Sequence, residues 1–212
     1  MDIFWLGYSC FRIKGKEATI VTDPYNKVIG YTLGRLSAEI VTVSHDHAGH
    51  NNVAAVSGQP RVIDGPGEYE IADVFLTGIS SYHDAEKGKK LGKNTIYTVE
   101  LDDMILCHLG DLGDAPTPAQ VEALGRVDIL LAPVGGNCTI NAAKAAETVS
   151  LLEPKVVIPM HFSTEGLAKE LDPLDKFLKE MGLKQAVPQP KATLNKSGLP
   201  QETQVVVLEH KH

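Results

Sequence analysis

Short runs of β-branched and aromatic residues, separated by turn residues, fill the first half of the chain. Such runs predict strands, and Gly7, Gly15 and the segment Gly65–Glu68 predict turns between them. The runs are Ile3–Leu6, Cys10–Ile13, Thr19–Thr22, Ile40–Val43, Arg61–Asp64 and Val74–Ile79. Two further runs, Thr95–Leu101 and Met104–His108, predict a hairpin closed at Asp102-Asp103. This half of the chain therefore predicts β structure rich in antiparallel pairs.

The pattern changes in the second half, where helical spacing alternates with short apolar runs. Pro118–Leu124 predicts a helix with Thr117 as its N-cap and proline at its first position. Asn141–Leu152 and Pro173–Met181 also have helical spacing, and Gly182 is a stop signal for the latter. The apolar runs Ile129–Ala132, Val156–Pro159 and Val205–Leu208 predict strands, and Asp84–Lys93 and Gln185–Gly198 predict loops.

A β-rich half followed by alternating strands and helices predicts an α/β protein. Helices on the outside of two packed sheets would cover every apolar face, which gives a four-layer αββα sandwich. The chain has 212 residues and no internal repeat, low-complexity tract or long linker. We therefore expect one domain over residues 1–212.

Composition narrows the class of partner. Hydrophobic residues make up 43% of the chain, enough for a sizeable core, and the formal net charge of −7 argues against a broad nucleic-acid interface. A small-molecule substrate, anionic ones included, is the expected partner, and a homo-oligomer is compatible with the sequence. We find no signal peptide and no apolar run long enough for a membrane span, so a cytoplasmic protein is expected. Cys10, Cys107 and Cys138 are scattered and predict reduced thiols that act as buried apolar residues.

Six of the eight histidines lie at predicted strand ends or just after them. His45, His47 and His50 follow the Ile40–Val43 run directly. Neutral imidazole is the commonest metal ligand, and several rings must converge on one ion at about 2.0–2.1 Å to bind zinc. A spacing of two lets His45 and His47 reach one ion, and three further residues carry His50 towards a second. The remaining two histidines, at positions 210 and 212, are expected to be solvated.

Three single residues follow separate predicted strands. His83 comes after the Val74–Ile79 run, Asp111 after Met104–His108, and His161 after Val156–Pro159. Each alone would more often be a hydrogen-bonded structural residue. Their shared position at strand ends favours convergence on one rim of the fold.

The segments around these residues resemble the metallo-β-lactamase superfamily. Val43–His50 is similar to its metal-binding loop, His-x-His-x-Asp-His, and Asp23 to the aspartate that precedes this loop. More narrowly, four segments resemble the short, stand-alone Zn-dependent hydrolases related to ascorbate-6-phosphate lactonase. These segments are Trp5–Ser9, Cys107–Gly113, Pro133–Gly136 and Pro159–Phe162. The resemblance extends over most of the chain and is more specific for fold than for substrate.

The resemblance implies a role for each site residue. A first metal ion would be bound by His45, His47 and His83, and a second by His50, Asp111 and His161. Asp111 would bridge both ions, and Asp111 and His161 would be the catalytic residues. Asp23 would orient the histidine loop through hydrogen bonds. His108, Tyr8 and Asp114 would lie around the pocket, although a structural role suits His108 equally well.

Three positions depart from the pattern of the resembled family. Gly49 stands where the loop carries an aspartate that binds the second metal, and this leaves that site with three protein ligands at most. Tyr8 and Asp114 stand where histidines are expected. Asp114 is the candidate replacement carboxylate, and Gly49 is expected to weaken the second site and lower the activity.

The resemblance implies a metal-dependent hydrolase in which hydroxide on a divalent ion attacks a small ester, lactone or phosphoester. Zinc is the first expectation, and manganese or iron suit the same nitrogen and carboxylate ligands. One or two ions are compatible with the ligand set. The alternative is a degenerate member of the same fold, weakly active or non-catalytic, that binds a metal or another ligand.

Overall fold

The computed structural model describes residues 1–210 and contains strands β1–β15 and helices α1–α3. The strands are β1 Asp2–Gly7, β2 Cys10–Lys14, β3 Thr19–Thr22, β4 Leu36–Ser37, β5 Ile40–Thr42, β6 Val56–Ser57, β7 Arg61–Ile63, β8 Gly67–Ile71, β9 Val74–Tyr82, β10 Lys93–Leu101, β11 Met104–His108, β12 Ile129–Pro133, β13 Val156–Met160, β14 Ala192–Thr193 and β15 Gln204–Val205. The helices are α1 Pro118–Leu124, α2 Ala142–Leu152 and α3 Leu174–Glu180, with 3₁₀ turns at Lys27–Ile29, Val53–Ala55 and Lys196–Gly198.

The strands form two large sheets and one small pair. The first sheet has the order β14-β1-β2-β3-β5-β7, and the second has the order β15-β13-β12-β11-β10-β9-β8. β3 and β5 are parallel, and so are β11, β12 and β13. β4 and β6 form the small parallel pair. The second sheet is thus antiparallel at one end and parallel at the other, as the change of pattern along the sequence predicts.

Strands of the first sheet are buried on both faces because their alternate residues enter two different cores. Ile3 and Trp5 of β1 and Ile20 of β3 pack in the main core, which also includes residues of the second sheet. Leu6 and Val21, one position along, belong to a second core on the opposite face. A fully buried large apolar side chain stabilises the fold by about 1.5–3 kcal/mol. The period of two therefore fixes the register of this sheet.

The outer layers differ between the two sheets. α1 lies against β9 and α2 against β12, and α3 packs on α2, so the α-helices cover the second sheet. The second core, over the first sheet, includes Tyr25, Ile29 and Tyr31, which flank the 3₁₀ turn Lys27–Ile29. The predicted αββα sandwich is confirmed, with 3₁₀ turns and coil over the first sheet.

The ends of the helices follow their sequence signals. Thr117 Oγ1 accepts a hydrogen bond from Gln120 N at 3.3 Å, and Gln120 Oε1 accepts one from Thr117 N at 2.9 Å. These two bonds form a capping box at the start of α1. At the start of α2, Asn141 Oδ1 accepts from Lys144 N at 3.0 Å.

The sequence analysis missed β8, which begins inside the predicted turn Gly65–Glu68. β8 pairs with β9, and Ile71 lies opposite Val74. The hairpin closes at Ala72 and Asp73, whose φ angles of 52° and 60° lie in the left-handed region. Two-residue turns with positive φ match the twist of paired strands, but alanine is an unusual residue for them. The missing glycine or asparagine explains why this second turn, and with it β8, was not predicted.

Two C-terminal predictions also need correction. β14 lies in the predicted loop Gln185–Gly198 and pairs with β1, and β15 covers Gln204–Val205 instead of Val205–Leu208. His210 is not fully solvated, since its ring lies 5.7 Å from that of Trp5 and its Nε2 is 3.1 Å from the carbonyl oxygen of Leu6. His212 lies outside the described residues. Between residues 1 and 210, no helix has both the length and the apolar character needed to cross a bilayer.

Candidate metal centre

The carboxyl ends of several strands meet at one edge of the sandwich. β9 is antiparallel to β10, which is antiparallel to β11, so β9 and β11 point the same way. The residues that follow these parallel ends are Asp23 after β3, His45 after β5, His83 after β9, Asp111 after β11 and His161 after β13. Loops after parallel strand ends are the usual place for functional side chains in α/β folds. Both sheets therefore supply side chains to the same edge.

The six side chains predicted as metal ligands converge there. Three groups have ligand atoms that all lie within 4.8 Å of one another. They are His45, His47 and His83; His45, His50 and Asp111; and Asp111, Cys138 and His161. Because the groups share His45 and Asp111, they form one continuous cluster, to which the structure adds Cys138.

The centre of the cluster is one oxygen of Asp111. Its Oδ2 lies 3.1 Å from His50 Nε2, 3.2 Å from His161 Nε2, 3.5 Å from His83 Nε2 and 3.9 Å from His45 Nε2. The Asp111 side chain is only 1% exposed. Imidazoles from both sheets therefore approach the same carboxylate oxygen.

Charge in the cluster is divided between the carboxylate and two of its imidazoles. Burial opposes ionisation of Asp111, yet the charges of His161 and His50 hold its pKa well below its usual range. Burial likewise opposes protonation of the two histidines, but Asp111 raises the pKa of His50 to about 10 and that of His161 to about 9. Burial and the charge on His50 lower the pKa of His45 to about 3. A metal ion would therefore compete with protons for the same imidazole nitrogens.

Several buried nitrogens of the cluster lack hydrogen bonds. Within residues 1–210, His45 Nε2, His83 Nδ1 and both ring nitrogens of His161 are buried without a hydrogen-bond partner. Buried polar atoms are nearly always paired, so each such atom needs an explanation. Imidazole nitrogens beside a carboxylate oxygen are the donor set of zinc and related divalent ions. The residues therefore fit a divalent metal ion.

Hydrogen bonds to Asp23 hold the loop that carries His45, His47 and His50. Its carboxylate accepts hydrogen bonds from Ser44 N at 2.8 Å, Ser44 Oγ at 2.6 Å and His50 Nδ1 at 2.9 Å. Ser44 Oγ also lies 2.9 Å from His45 Nδ1, so the Nε2 atoms of both rings are left facing Asp111. Burial raises the pKa of Asp23, but the hydrogen bond and charge of His50 outweigh it and the pKa is lowered. Asp23 is thus a buried anion paired with a buried cation.

The loop that carries Asp111 is held by a residue that the sequence analysis missed. Asn94 Oδ1 accepts from Asp111 N at 2.9 Å, and Asn94 Nδ2 donates to Leu109 O at 2.9 Å. Gly110 has φ 58°, and a Cβ there would overlap Asn94 Oδ1 and lie 2.6 Å from Ser44 Cβ. Asn94 directly precedes the predicted run Thr95–Leu101, and no motif in the sequence marks it.

Tyr8 and Gly49, two of the departures from the family pattern, are neighbours. The Tyr8 ring lies 4.1 Å from that of His161 and 5.1 Å from that of His50. A Cβ at position 49 would come 2.9 Å from Tyr8 Cε1 and 3.3 Å from Ile29 Cγ2. The tyrosine ring therefore takes up the space into which a side chain at position 49 would project. Burial and the charge of Asp111 raise the pKa of Tyr8, so its phenol stays protonated at neutral pH.

Neither His108 nor Asp114 is among the side chains that could hold an ion. His108 is fully buried, its Nε2 donates to Ser9 O at 2.9 Å and its Nδ1 accepts from Gly110 N at 3.2 Å. Both ring nitrogens of His108 are bonded to the backbone. Of its two predicted roles, the structural one is therefore correct and the pocket role is wrong. Asp114 forms an ion pair with Lys144 at 2.6 Å and lines a separate cavity. The chain turns away after Gly113, whose N–H bonds Tyr82 O at 2.9 Å, and this is why Asp114 does not replace the missing carboxylate.

A cavity of about 350 Å³ opens onto the cluster. Its lining includes Tyr8, His47, Gly49, His83, Cys138 and Lys169. Such a volume suits a small molecule. Lys169 is exposed and adds a cation at the rim, and sequence analysis missed it because its loop carries no motif. Cys138 is half-buried, unlike Cys10 and Cys107, so its assignment as a buried apolar residue is wrong.

Comparisons with known proteins agree with this geometry. Residues 2–161 match the family model of the β-lactamase superfamily domain. A UPF0173 protein of Pyrococcus furiosus is 30% identical over 199 residues, which cover 85% of this chain and 90% of that protein. A UPF0173 metal-dependent hydrolase of Pyrococcus horikoshii is 28% identical, with 77% and 85% of the two chains covered.

Solved structures give the same result. A Thermotoga maritima protein assigned to the Zn-dependent hydrolases of the metallo-β-lactamase superfamily superposes with a TM-score of 0.80. It is 39% identical in sequence, and the match covers 98% of this chain and 97% of that one. A metallo hydrolase of Ignicoccus hospitalis, 20% identical with a TM-score of 0.63, shares the fold.

Proposed function

Since the chain belongs to the β-lactamase superfamily domain family, we propose that it is a metal-dependent hydrolase acting on a small ester, lactone or phosphoester. The observation that carries this proposal is the convergence of imidazoles and one carboxylate, from strand ends of both sheets, on Asp111 Oδ2. The relatives named as metal-dependent hydrolases support the reaction class. We also propose that residues 1–212 form one domain and that the protein is cytoplasmic.

The first ligand set is one of the three groups, and the second follows the family resemblance. We assign His45, His47 and His83 to a first ion. We assign His50, Asp111 and His161 to a second, because the Nε2 atoms of both histidines lie 3.1 and 3.2 Å from Asp111 Oδ2, and we propose that both ions share Asp111. A divalent ion bound there would lower the pKa of a coordinated water to about 7 and would polarise the oxygen of the scissile group. Zinc is the first candidate because imidazole and carboxylate are its usual ligands.

The remaining side chains orient the ligands and the substrate. Asp23 binds His50 directly and orients His45 through the hydroxyl of Ser44. Carboxylates commonly orient metal-binding histidines in this way. The protonated phenol of Tyr8 is a hydrogen-bond donor beside the cavity. The cation of Lys169 at the rim favours an anionic substrate, such as a phosphoester or a lactone that carries a negative charge.

The test compares two aspartates of one loop. Asp111→Asn removes the shared carboxylate charge, and Asp114→Asn, three residues on, removes a carboxylate that pairs with Lys144 outside the cluster. Metal content after gentle purification and turnover of esters, lactones and bis-p-nitrophenyl phosphate are measured with added zinc or manganese. We expect Asp111→Asn to lose bound metal and to lower turnover by at least about a hundredfold, and Asp114→Asn to keep both.

Two results would contradict the proposal. One is wild-type protein with no bound divalent ion and no gain on adding zinc or manganese. The other is protein that binds metal yet turns over none of the three substrate classes, which favours the non-catalytic binding member of the fold. The expectation that Gly49 weakens the second site and lowers the activity is tested in the same assays, by measuring the rate of hydrolysis at increasing metal concentration.

A further inference from the structure

The second ion, as assigned above, lacks the ligand that position 49 would supply. Gly49 has no side chain, and Tyr8 fills the adjoining space, with its Cε1 2.9 Å from the site of a Cβ. Asp114, the other candidate carboxylate, is paired with Lys144. A further ligand for this ion must therefore come from another direction.

Cys138 lies on that other side of the cluster. It belongs to the loop between β12 and α2, and its Sγ is within 4.8 Å of ligand atoms of both Asp111 and His161. The loop is tied to the segments that carry those two residues. Val134 N donates to Met160 O at 3.1 Å, and Ile140 N donates to Leu112 O at 2.8 Å. These bonds fix the thiol between the ends of β11 and β13.

His161 gives independent evidence that this corner binds a ligand. Its side chain is fully buried, and among the described residues neither ring nitrogen has a hydrogen-bond partner. Its Nε2 points at Asp111, 3.2 Å from Oδ2. The contact of Nε2 with Asp111 is therefore an ion pair without an aligned hydrogen bond, and a metal ion would supply the missing bond to this nitrogen. Cys138 also lines the cavity, whereas Cys10 and Cys107 are buried in the cores.

Resting on the function proposed above, we propose that Cys138 is a ligand of the second metal ion, taking the place of the absent aspartate. On binding, the thiol releases its proton to solvent and the thiolate forms the bond to the ion. With His50, Asp111 and His161 the site then has four protein ligands, the number that zinc prefers. A thiolate is a soft ligand, so this site should select zinc or cobalt over manganese.

Cobalt(II) reports directly on the thiolate. Metal-free, fully reduced wild-type protein is titrated with Co²⁺, since bonding of a thiolate to Co²⁺ gives charge-transfer absorption in the near ultraviolet. We expect this absorption to grow with the second equivalent of metal. Cys138→Ser, which keeps a side chain of similar size, should bind the first equivalent normally, show no such absorption and lose at least about tenfold in affinity for the second.

Alkylation gives a readout on the wild-type chain alone. Cys10 and Cys107 are 0% exposed, so iodoacetamide should react only with Cys138 in the folded protein. Two equivalents of zinc should slow this reaction at least tenfold, and the same amount of manganese should leave it nearly unchanged. This measurement decides the question even if Cys138→Ser fails to fold.

The outcomes separate this inference from the proposed function. Two bound equivalents of Co²⁺ without thiolate absorption, or alkylation that zinc does not slow, would overturn the role of Cys138 and leave the hydrolase proposal intact. No bound metal at micromolar zinc would overturn both.

Discussion

At the scale of single residues, the carboxylate of Asp23 matters although it is not among the groups that could hold an ion. It lies beneath the histidine loop and is fully buried with three hydrogen bonds from Ser44 and His50. Its φ of 40° lies in the left-handed region, which non-glycine residues adopt mainly where surrounding contacts require it. The charge and position of Asp23 thus set the orientation of two proposed ligands.

We expect Asp23→Asn to destabilise the metal-free protein by about 2–3 kcal/mol, because the His50 cation loses one of its two buried carboxylate partners and keeps only Asp111. Metal affinity should fall by about 10–100-fold, since the rings of His45 and His50 lose their orientation. Urea denaturation in chelator and a zinc titration measure the two effects. The comparison is Ser44→Ala, which removes the contacts of Ser44 Oγ with Asp23 and His45 but leaves the bond from His50 to Asp23, and it should cost about 2 kcal/mol. Zinc affinity in Asp23→Asn equal to that of wild type would show that Asp23 does not position the ligands.

Tyr8 and Gly49 should behave as a coupled pair. A Cβ at position 49 meets the Tyr8 ring, so Gly49→Ala should destabilise the protein by about 1–3 kcal/mol through overpacking. With Tyr8→Ala in the background, the cost of Gly49→Ala should fall towards zero. A double-mutant cycle of unfolding free energies measures the coupling. Additive effects would mean that the two departures from the family pattern are independent.

At the scale of elements, strand ends were predictable and loop geometry was not. The strands that carry the site were located because β-branched runs and turn residues mark them, and Asp23, His45, His83, Asp111 and His161 follow those runs. Cys138 and Lys169 lie in loops whose paths depend on tertiary hydrogen bonds, such as that from Ile140 N to Leu112 O. β8 was missed because its turn uses Ala72 and Asp73 instead of glycine or asparagine. Local pattern thus identifies the edge of the sandwich but not every side chain that reaches it.

The loop after β11 offers a test with a matched control. Gly110 and Gly125 both have φ 58°, but a Cβ at Gly110 would overlap Asn94 Oδ1, whereas one at Gly125 would meet no described atom within 4 Å. Gly125→Ala should therefore cost only the conformational penalty of its backbone, which at φ 58° and ψ −139° is about 1–3 kcal/mol. Gly110→Ala should cost more and also reduce bound metal, because it displaces the backbone of Asp111. Equal losses of stability in the two variants, with equal zinc content, would argue against a fixed Asp111 loop.

The ion pair between Asp114 and Lys144 of α2 predicts a small dependence of the protein's stability on pH. Its hydrogen bond and charge lower the pKa of Asp114. A carboxyl whose pKa is lower in the folded state stabilises the protein above its unfolded pKa of about 3.9, and this contribution is lost as the pH falls through the folded value. Both side chains are about half exposed, so Asp114→Asn should cost at most about 1 kcal/mol at pH 7. The difference from wild type should shrink in denaturation curves as the pH falls below the unfolded pKa of about 3.9, and a difference that grows in acid would contradict this assignment.

At the scale of the whole molecule, the proposed ligands come from both sheets. His45, His47 and His50 follow β5 of the first sheet, and His83, Asp111 and His161 follow β9, β11 and β13 of the second. Elsewhere the two sheets meet mainly through the apolar side chains of the main core. An ion in the cluster would therefore cross-link the sheets at this edge.

Metal removal should therefore change the stability of the whole chain. An ion that binds only the folded state stabilises it by about 1.4 kcal/mol for every tenfold excess of free metal over the dissociation constant. The melting temperature of wild type should rise with free zinc and fall in chelator, and hydrogen exchange in chelator should speed up at the ends of β5 and β11 together. Asp111→Asn should melt at the same temperature with and without zinc, whereas Asp114→Asn should follow wild type. Faster exchange in only one sheet would mean that the ion is held by that sheet alone, and the shared position of Asp111 Oδ2 would then have no role in joining the two.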